Sequence, residues 1–274
     1  MTIFSLLKTA IQKIDRFEAE LLLAHTLKKN REFVVTYPEY KISFSQKYKF
    51  LSLVKKRASG IPLAYLTGHK EFFGLDFVVN KHTLVPRPDT EILVENVLKN
   101  IKNNPANILI DIGTGSGCIP ISIAKNTAQN IQVFATDISK HALTIAKQNA
   151  EHHHVHIQFL QGNLLEKIAQ KNIPLKNIIL TANLPYLTEE QFNAEKSIQQ
   201  EPHSALVADD AGLALYKELL TQIQQNNVTG IFFFEIDPSQ SQTLSPYIAK
   251  IFPNSKIEVI KDLCGRDRMI QWSI

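Results

Sequence analysis

Cysteine is scarce in this chain: Cys118 and Cys264 are the two copies in 274 residues, far apart and in neither a metal-ligand spacing nor a disulfide framework. That excludes a stapled secreted scaffold and a thiolate metal centre, and it fits a reducing cytosol. Long apolar runs are missing too. Nowhere do enough apolar residues follow one another to span a bilayer, and Met1-Thr2-Ile3-Phe4-Ser5-Leu6-Leu7-Lys8 lacks the apolar stretch of a signal peptide. The expectation is a cytoplasmic protein with no membrane partner. Low-complexity tracts and internal repeats are absent as well. What remains, 44% apolar and 20% charged residues, is the balance of an ordinary globular protein, long enough for one large domain or two ordinary ones.

The net charge of +4 conceals an uneven distribution. Residues 1–84 carry fourteen Lys/Arg and seven Asp/Glu, whereas the remainder carries sixteen basic and nineteen acidic residues. A solvated helical surface accounts for the basic segment, and an acidic or nucleic-acid partner also suits it; so diffuse a patch does not separate the two.

The first stretch reads as helical. Residues 11–28 place apolar side chains at Ile14, Phe17, Ala19, Leu21, Leu22, Ala24 and Leu27, close to a 3.6-residue period, with Asp15-Arg16-Phe17-Glu18 as its start. A second helix is expected from Ser45, as N-cap, to Ala58, broken by Gly60 and Pro62. Between Lys70 and Leu84 the character changes to aromatic and β-branched residues with turns at Gly74 and at Asn80-Lys81, which predicts a hairpin linker. From Thr90 onward strands alternate with helices, the pattern of an α/β sheet with crossover helices. Strands are expected at 107–111, 132–136, 155–160, 177–182, 230–235, 256–260 and 269–272, and helices at 119–125, 140–150, 212–225 and 239–251.

Asp111-Ile112-Gly113-Thr114-Gly115-Ser116-Gly117-Cys118 follows the first of these strands and opens a helix. The glycines let backbone turn sharply and approach a ligand closely, although an ordinary strand-to-helix turn would use them as well. Two details favour a ligand. A dinucleotide fingerprint needs its third glycine where Cys118 stands, so NAD is disfavoured. Asp111 at the strand end would repel a pyrophosphate and suit an ammonium group, such as that of S-adenosylmethionine. Asp137 ends the next strand, where a carboxylate can accept both ribose hydroxyls; otherwise it caps the helix that follows. Gln161-Gly162-Asn163-Leu164-Leu165 comes after the third strand, where related methyltransferases usually hold an acidic residue near the adenine amine. Asn163 can accept there through its amide oxygen but lacks the charge.

Asn183-Leu184-Pro185-Tyr186 follows the fourth strand, and so falls at the carboxyl edge of a parallel sheet. A planar amide or exocyclic amine is a poor nucleophile because its lone pair is delocalised. Acceptors aimed at its two N–H groups would hold the nitrogen, turn the lone pair toward a methyl donor and stabilise the growing positive charge. The Asn183 side-chain oxygen and the Leu184 carbonyl are the candidate acceptors. Pro185 fixes the backbone, and Tyr186 offers a flat face for stacking. A strand-ending turn uses Asn and Pro too. Of the remaining features, His152-His153-His154 with His156 reads as a solvated turn rather than a metal site, having one adjacent carboxylate, Glu151, and no nearby Cys. Pro86-Arg87-Pro88-Asp89-Thr90-Glu91 reads as a helix start. Glu235 at a strand end is either a buried anchor or part of a substrate pocket.

Taken together, these residues resemble the protein-(glutamine-N5) methyltransferases that modify class 1 peptide chain release factors. The resemblance spans nearly the whole chain. It is most specific at Gly60-Ile61-Pro62-Leu63-Ala64-Tyr65-Leu66-Thr67-Gly68, Glu71-Phe72-Phe73-Gly74 and Leu84-Val85-Pro86-Arg87-Pro88-Asp89-Thr90-Glu91. Further on it rests on residues 111–117 and 183–186, Glu201-Pro202, Ala205-Leu206, Gly212-Leu213, Tyr216 and residues 262–268. It implies a Rossmann-like seven-stranded class I methyltransferase domain (residues 85–274), preceded by a helical substrate-recognition domain (1–69) and a β-hairpin linker (70–84). It also implies S-adenosylmethionine as methyl donor, S-adenosylhomocysteine as product, and the glutamine of the release factor's Gly-Gly-Gln tip as acceptor. Asn183, Leu184, Pro185 and Tyr186 would hold that amide. Asp111, Gly113, Thr114, Gly115, Ser116, Gly117, Asp137, Asn163, Leu164 and Asn183 would hold the cofactor. A monomer with no metal and no stable nucleic-acid partner is expected. The family usually has proline where this chain has Leu184, and Asn-Leu-Pro-Tyr is familiar from ribosomal RNA adenine dimethyltransferases. An adenine N6 methyltransferase acting on RNA or DNA, a glutamine methyltransferase acting on a ribosomal protein, and a nucleotide-binding module without methyl transfer are the alternatives.

Overall fold

The computed structural model describes residues 1–103, 106–171 and 173–274. They form two compact units, one of residues 1–69 with 195–200 and one of residues 70–194 with 201–274.

The smaller unit is helical: Ile3–Ala10, Arg16–Leu27, Arg31–Thr36, Phe44–Ala58 and Leu63–Thr67. The helix expected at 11–28 begins five residues later. The Asp15 carboxylate accepts the N–H groups of Phe17 and Glu18 and so fixes the start, and Lys28 ends the helix in the left-handed region. Ser43, not Ser45, caps the long helix, because a glutamine three residues on, Gln46, reaches back to complete a capping box. Three further helices are too short for their periodicity to show in sequence. Ile3, Leu6, Leu22, Leu23 and Phe50 form the core of this unit. Among them Glu20 is buried and ionic, matched by Arg16 and Arg31 at 2.9 and 2.8 Å.

The larger unit opens with a hairpin, β1 (His69–Phe72) and β2 (Leu75–Val78). Phe73 and Gly74 between them both have positive φ, the geometry whose twist suits a two-residue turn. The hairpin is shorter than 70–84, and residues 79–83 leave it through the second expected turn, where the Asn80 carbonyl accepts from Thr83. A seven-stranded sheet follows: β3 (Ile108–Ile112), β4 (Gln132–Asp137), β5 (Gln158–Gln161), β6 (Ile178–Ala182), β7 (Gly230–Glu235), β8 (Lys256–Lys261) and β9 (Asp267–Ser273). Its order is β5-β4-β3-β6-β7-β9-β8, with β3 to β7 paired in parallel and β9 antiparallel to both neighbours. All seven expected strands form. The third starts at Gln158 rather than Val155, because the chain is still leaving the preceding helix through His154 at φ 55.

Helices Cys118–Asn126, Lys140–His152, Ala214–Gln225 and Ser241–Ile251 lie where the periodicity puts them. The third begins after Gly212, since Asp210, Ala211 and Gly212 all take positive φ and cannot belong to it. Residues 86–91 do start a helix: a 3-10 turn, Pro88–Thr90, runs into Glu91–Asn103. The strand order reverses at β3, which pairs with both β4 and β6. Every residue of β3 and β6 is buried, so the two loops at their carboxyl ends meet at the switch point, where α/β sheets bind ligands.

Candidate active site

The glycine loop is tied down from three sides. Thr114 N–H donates to the Thr136 carbonyl at 2.9 Å, Gly117 N–H to the Thr114 carbonyl at 2.8 Å, and Gly115 N–H to Asp137 Oδ2 at 2.8 Å. Asp137 Oδ1 accepts from Ser139 N–H, also at 2.8 Å, and Ser139 itself caps the next helix. Asp137 is therefore not that helix's N-cap. Burial raises its carboxyl above the ordinary range, against the pull of those two N–H groups. Gly113 has φ 71, and a Cβ there would come within 3.0 Å of Leu184 Cδ2, so the glycine loop and the tetrapeptide lie against each other.

Gly113, Gly115, Asp137, Asn163, Leu164, Asn183, Leu184 and Pro185 line one cavity of about 450 Å³, a size ordinary for a small-molecule site. Lys81, His82, Thr83 and Leu84 also line it, Leu84 as part of a family motif and Lys81 in the expected Asn80-Lys81 turn. The other four expected cofactor residues lie outside the wall. Asp111 is fully buried, its Oδ1 taking the Thr181 hydroxyl at 2.6 Å and its Oδ2 without a partner among the described residues. Burial pushes its carboxyl up to about 7 against the pull of the Thr181 and Thr114 hydroxyls. Thr114 and Ser116 are buried, and Gly117 at φ 81 packs against Ile121 and Ala146 at the helix start. These four shape the loop from within, because β3 is covered to its last residue and leaves no strand-end carboxylate facing outward.

The tetrapeptide is held at its edges. Asn183 Nδ2 donates to Thr90 Oγ1 at 3.2 Å, Leu184 N–H donates to Tyr216 Oη at 3.3 Å, and the Tyr186 carbonyl accepts from Gln240 Nε2 at 3.1 Å. Among the described residues, neither Asn183 Oδ1 nor the Leu184 carbonyl takes a hydrogen bond. Gly212 passes so close that a Cβ would sit 1.9 Å from the Tyr186 carbonyl oxygen. A second cavity, of about 30 Å³, has Asn183 to Tyr186 on one side and Arg87 and Glu235 on another. Glu235 is buried and shares this second cavity with the tetrapeptide. Its Oε2 is without a partner among the described residues, and burial pushes the carboxyl up to about 7 despite the Thr90 hydroxyl, Arg268 and Asn183.

Sequence reasoning gave no role to the residues that hold the loops, although Tyr216 and Glu201 fall in its family motifs. Tyr216 is fully buried; its hydroxyl accepts from Leu184 and donates to the Glu235 carbonyl, joining the ends of β6 and β7. Asn149 is also fully buried and binds both backbone groups of Val78 and the carbonyl of Ser116, linking hairpin to glycine loop. Glu201 takes Val85 N–H at 3.0 Å and the Arg87 guanidinium. A polar residue on the apolar face of a helix was the available signal for Asn149. The histidine run departs from a solvated turn in one member: His153 is buried, its Nε2 lies 2.8 Å from the Asp76 carbonyl, and its ring packs on Phe77. Among the described residues no cluster is arranged to hold a metal ion, and both cysteines are free.

Residues 2–68 match the family model described as the PrmC N-terminal domain, and residues 88–207 match the methyltransferase small domain. The release factor glutamine methyltransferase of Enterococcus faecalis is 40% identical over 211 residues, covering 76% of this chain and 74% of that protein. Its namesake from Bacillus subtilis is 34% identical over 281 residues, covering 98% and 96%. Among solved structures, the N-terminal domain of human METTL16 in complex with SAH matches 92% of this chain and 93% of its own, with a TM-score of 0.56. At 16% identity that likeness shows the fold alone.

Proposed function

The chain belongs to the release factor glutamine methyltransferases, and we propose that Asn183, Leu184, Pro185 and Tyr186 are where it holds the acceptor amide. It transfers a methyl group from S-adenosylmethionine to the side-chain nitrogen N5 of a release factor glutamine. RNA and ribosomal-protein acceptors are not favoured by its relatives.

The cavity fits the cofactor. Gly113 and Gly115 put bare backbone on its wall, and Asp137 keeps lone pairs for ribose hydroxyls beyond the two it gives to backbone. Asn163 and Leu164 would hold the adenine end, while Asp111, Thr114, Ser116 and Gly117 shape the loop for the amino-acid end. When bound, S-adenosylmethionine supplies an electrophilic methyl on a sulfonium and leaves S-adenosylhomocysteine. The observation that carries the assignment is that Asn183 Oδ1 and the Leu184 carbonyl, at the same cavity, are uncommitted. Thr90 occupies the Asn183 amine, so its oxygen is the end left to accept an N–H of glutamine. The Leu184 carbonyl accepts the second N–H, which orients the nitrogen lone pair and stabilises the charge that develops on it. Tyr186 offers its face to the amide plane. The cationic amide product loses its proton readily, so no strong base is required.

The helical unit is the substrate-recognition part of this reading. Phe44 and Tyr48, one helical turn apart, are 81% and 74% exposed beside basic residues, which suits an acidic protein partner with apolar contacts. In this reading the chain acts as a monomer on a protein, without stable nucleic acid, in the cytoplasm. The test is methyl transfer from labelled cofactor to release factor, ribosomal protein and RNA in parallel. Asn183→Ala should lower transfer to release factor by about a hundredfold or more while cofactor affinity changes by about threefold or less. Transfer at the wild-type rate would show that the amide is held elsewhere.

A further inference from the structure

The loop after β5 holds Asn163 by a device outside the cavity. Asn163 Nδ2 donates to Glu218 Oε1 at 2.5 Å, from the helix Ala214–Gln225. One turn further along that helix, Gln222 Nε2 donates to the same Oε1 at 3.3 Å, and Gln222 Oε1 accepts from Leu165 N–H at 2.8 Å. Thr136 Oγ1 donates to the Leu164 carbonyl at 2.9 Å. Residues 163–165 are thus gripped from a helix on one side and a strand on the other, with Leu164 in the left-handed region.

An asparagine alone is ambiguous toward a ligand, since rotating its amide by half a turn exchanges a donor for an acceptor. A carboxylate partner removes the ambiguity, because it only accepts and therefore takes the NH₂ end. We infer that Glu218 is a specificity-determining positioning residue: it locks the Asn163 amide so that the cavity meets an acceptor oxygen, selecting a cofactor base with an exocyclic amine over one with a carbonyl there. An amide and a carboxylate from two elements together do what a single acidic residue at position 163 would do alone. The inference rests on the assignment of this cavity to the cofactor.

Calorimetric titration of S-adenosylhomocysteine and of its hypoxanthine analogue, S-inosylhomocysteine, tests it without any turnover. The wild-type chain should prefer the adenine compound by about tenfold, the worth of replacing a made hydrogen bond with an opposed pair of acceptors. In Glu218→Ala the amide is free to turn and donate to the hypoxanthine carbonyl, so the preference should fall by about fivefold. Glu218→Gln combined with Asn163→Asp should restore it. The pair then exchanges chemistries: a carboxylate at position 163 accepts from the adenine amine, and an amide at position 218 donates to that carboxylate, which recreates the same polarity. If Glu218→Ala weakens both ligands equally and keeps the preference within about twofold, Glu218 merely braces the loop and the inference fails. A wild-type chain that binds neither compound overturns the cofactor assignment beneath it.

Discussion

Asp111→Asn should make the larger unit more stable, and increasingly so as pH rises. The carboxyl of Asp111 lies fully buried with one oxygen on Thr181 and the other without a partner among the described residues, and its pKa is raised to about 7 from 3.8. A group whose folded pKa is raised favours the folded state below its unfolded pKa, and that contribution is lost as pH rises through the folded value. With these two pKa values, ionisation costs the folded state about 2 kcal/mol at pH 5.5 and about 4 kcal/mol at pH 8. Asparagine keeps an oxygen for the Thr181 hydroxyl, carries no charge, and presents its NH₂ to the Thr114 hydroxyl, which can accept from it. The stabilisation of Asp111→Asn over wild type, measured by urea unfolding, should therefore grow by about 2 kcal/mol between pH 5.5 and pH 8. Glu235, raised to about the same value, remains in both proteins and cancels in the comparison. A difference that stays flat across this range would mean that Asp111 is ionised and satisfied in the folded state, and the burial argument would fall.

Asp137→Ala removes the acceptor for Gly115 N–H as well as that proposed for the ribose, so the cofactor dissociation constant should rise by about tenfold or more in calorimetry. An unchanged constant would remove Asp137 from the site. Leu184→Pro, the substitution toward the usual family residue, deletes the long Leu184 to Tyr216 bond and a buried side chain but keeps the carbonyl. Stability should drop by about 1–3 kcal/mol in urea while methyl transfer stays within about fivefold of wild type. A loss as large as that from Asn183→Ala would show that more than the carbonyl matters at this position.

The strands were legible because each is an apolar run closed by polar or turn residues; β7 matches its expected bounds at both ends. Helix starts were legible only to within a few residues, since Ser43 and Ser45 are equally good caps until Gln46 is seen to reach back to one of them. The residues that line the cavity were legible where the signal is local, as in the glycine loop, Asp137 and the tetrapeptide. The site was not legible where a side chain works across the sequence. Thr90 and Asn183 are 93 positions apart, and nothing near either residue announces the other. Asp111 shows the converse: an acidic residue after an apolar run looks like a strand end facing a ligand, whereas its side chain is fully buried and off the cavity wall.

On the proposed assignment, these long-range holds also leave one tetrapeptide able to serve different acceptors. Thr90 accepts from Asn183, Tyr216 accepts from Leu184 and Gln240 donates to Tyr186, each bond leaving Asn183 Oδ1 and the Leu184 carbonyl untouched. Two acceptors and a flat ring suit any planar NH₂ group, whether an amide or a base amine. The Leu184 side chain belongs to the core and packs near Gly113 at the cavity wall, so its identity alters how the loop is supported while the backbone carbonyl is kept. Discrimination between a glutamine and an adenine must then come from the surfaces that bring the acceptor in, and the segments most specific to this family, residues 60–68 and 84–91, lie outside the tetrapeptide.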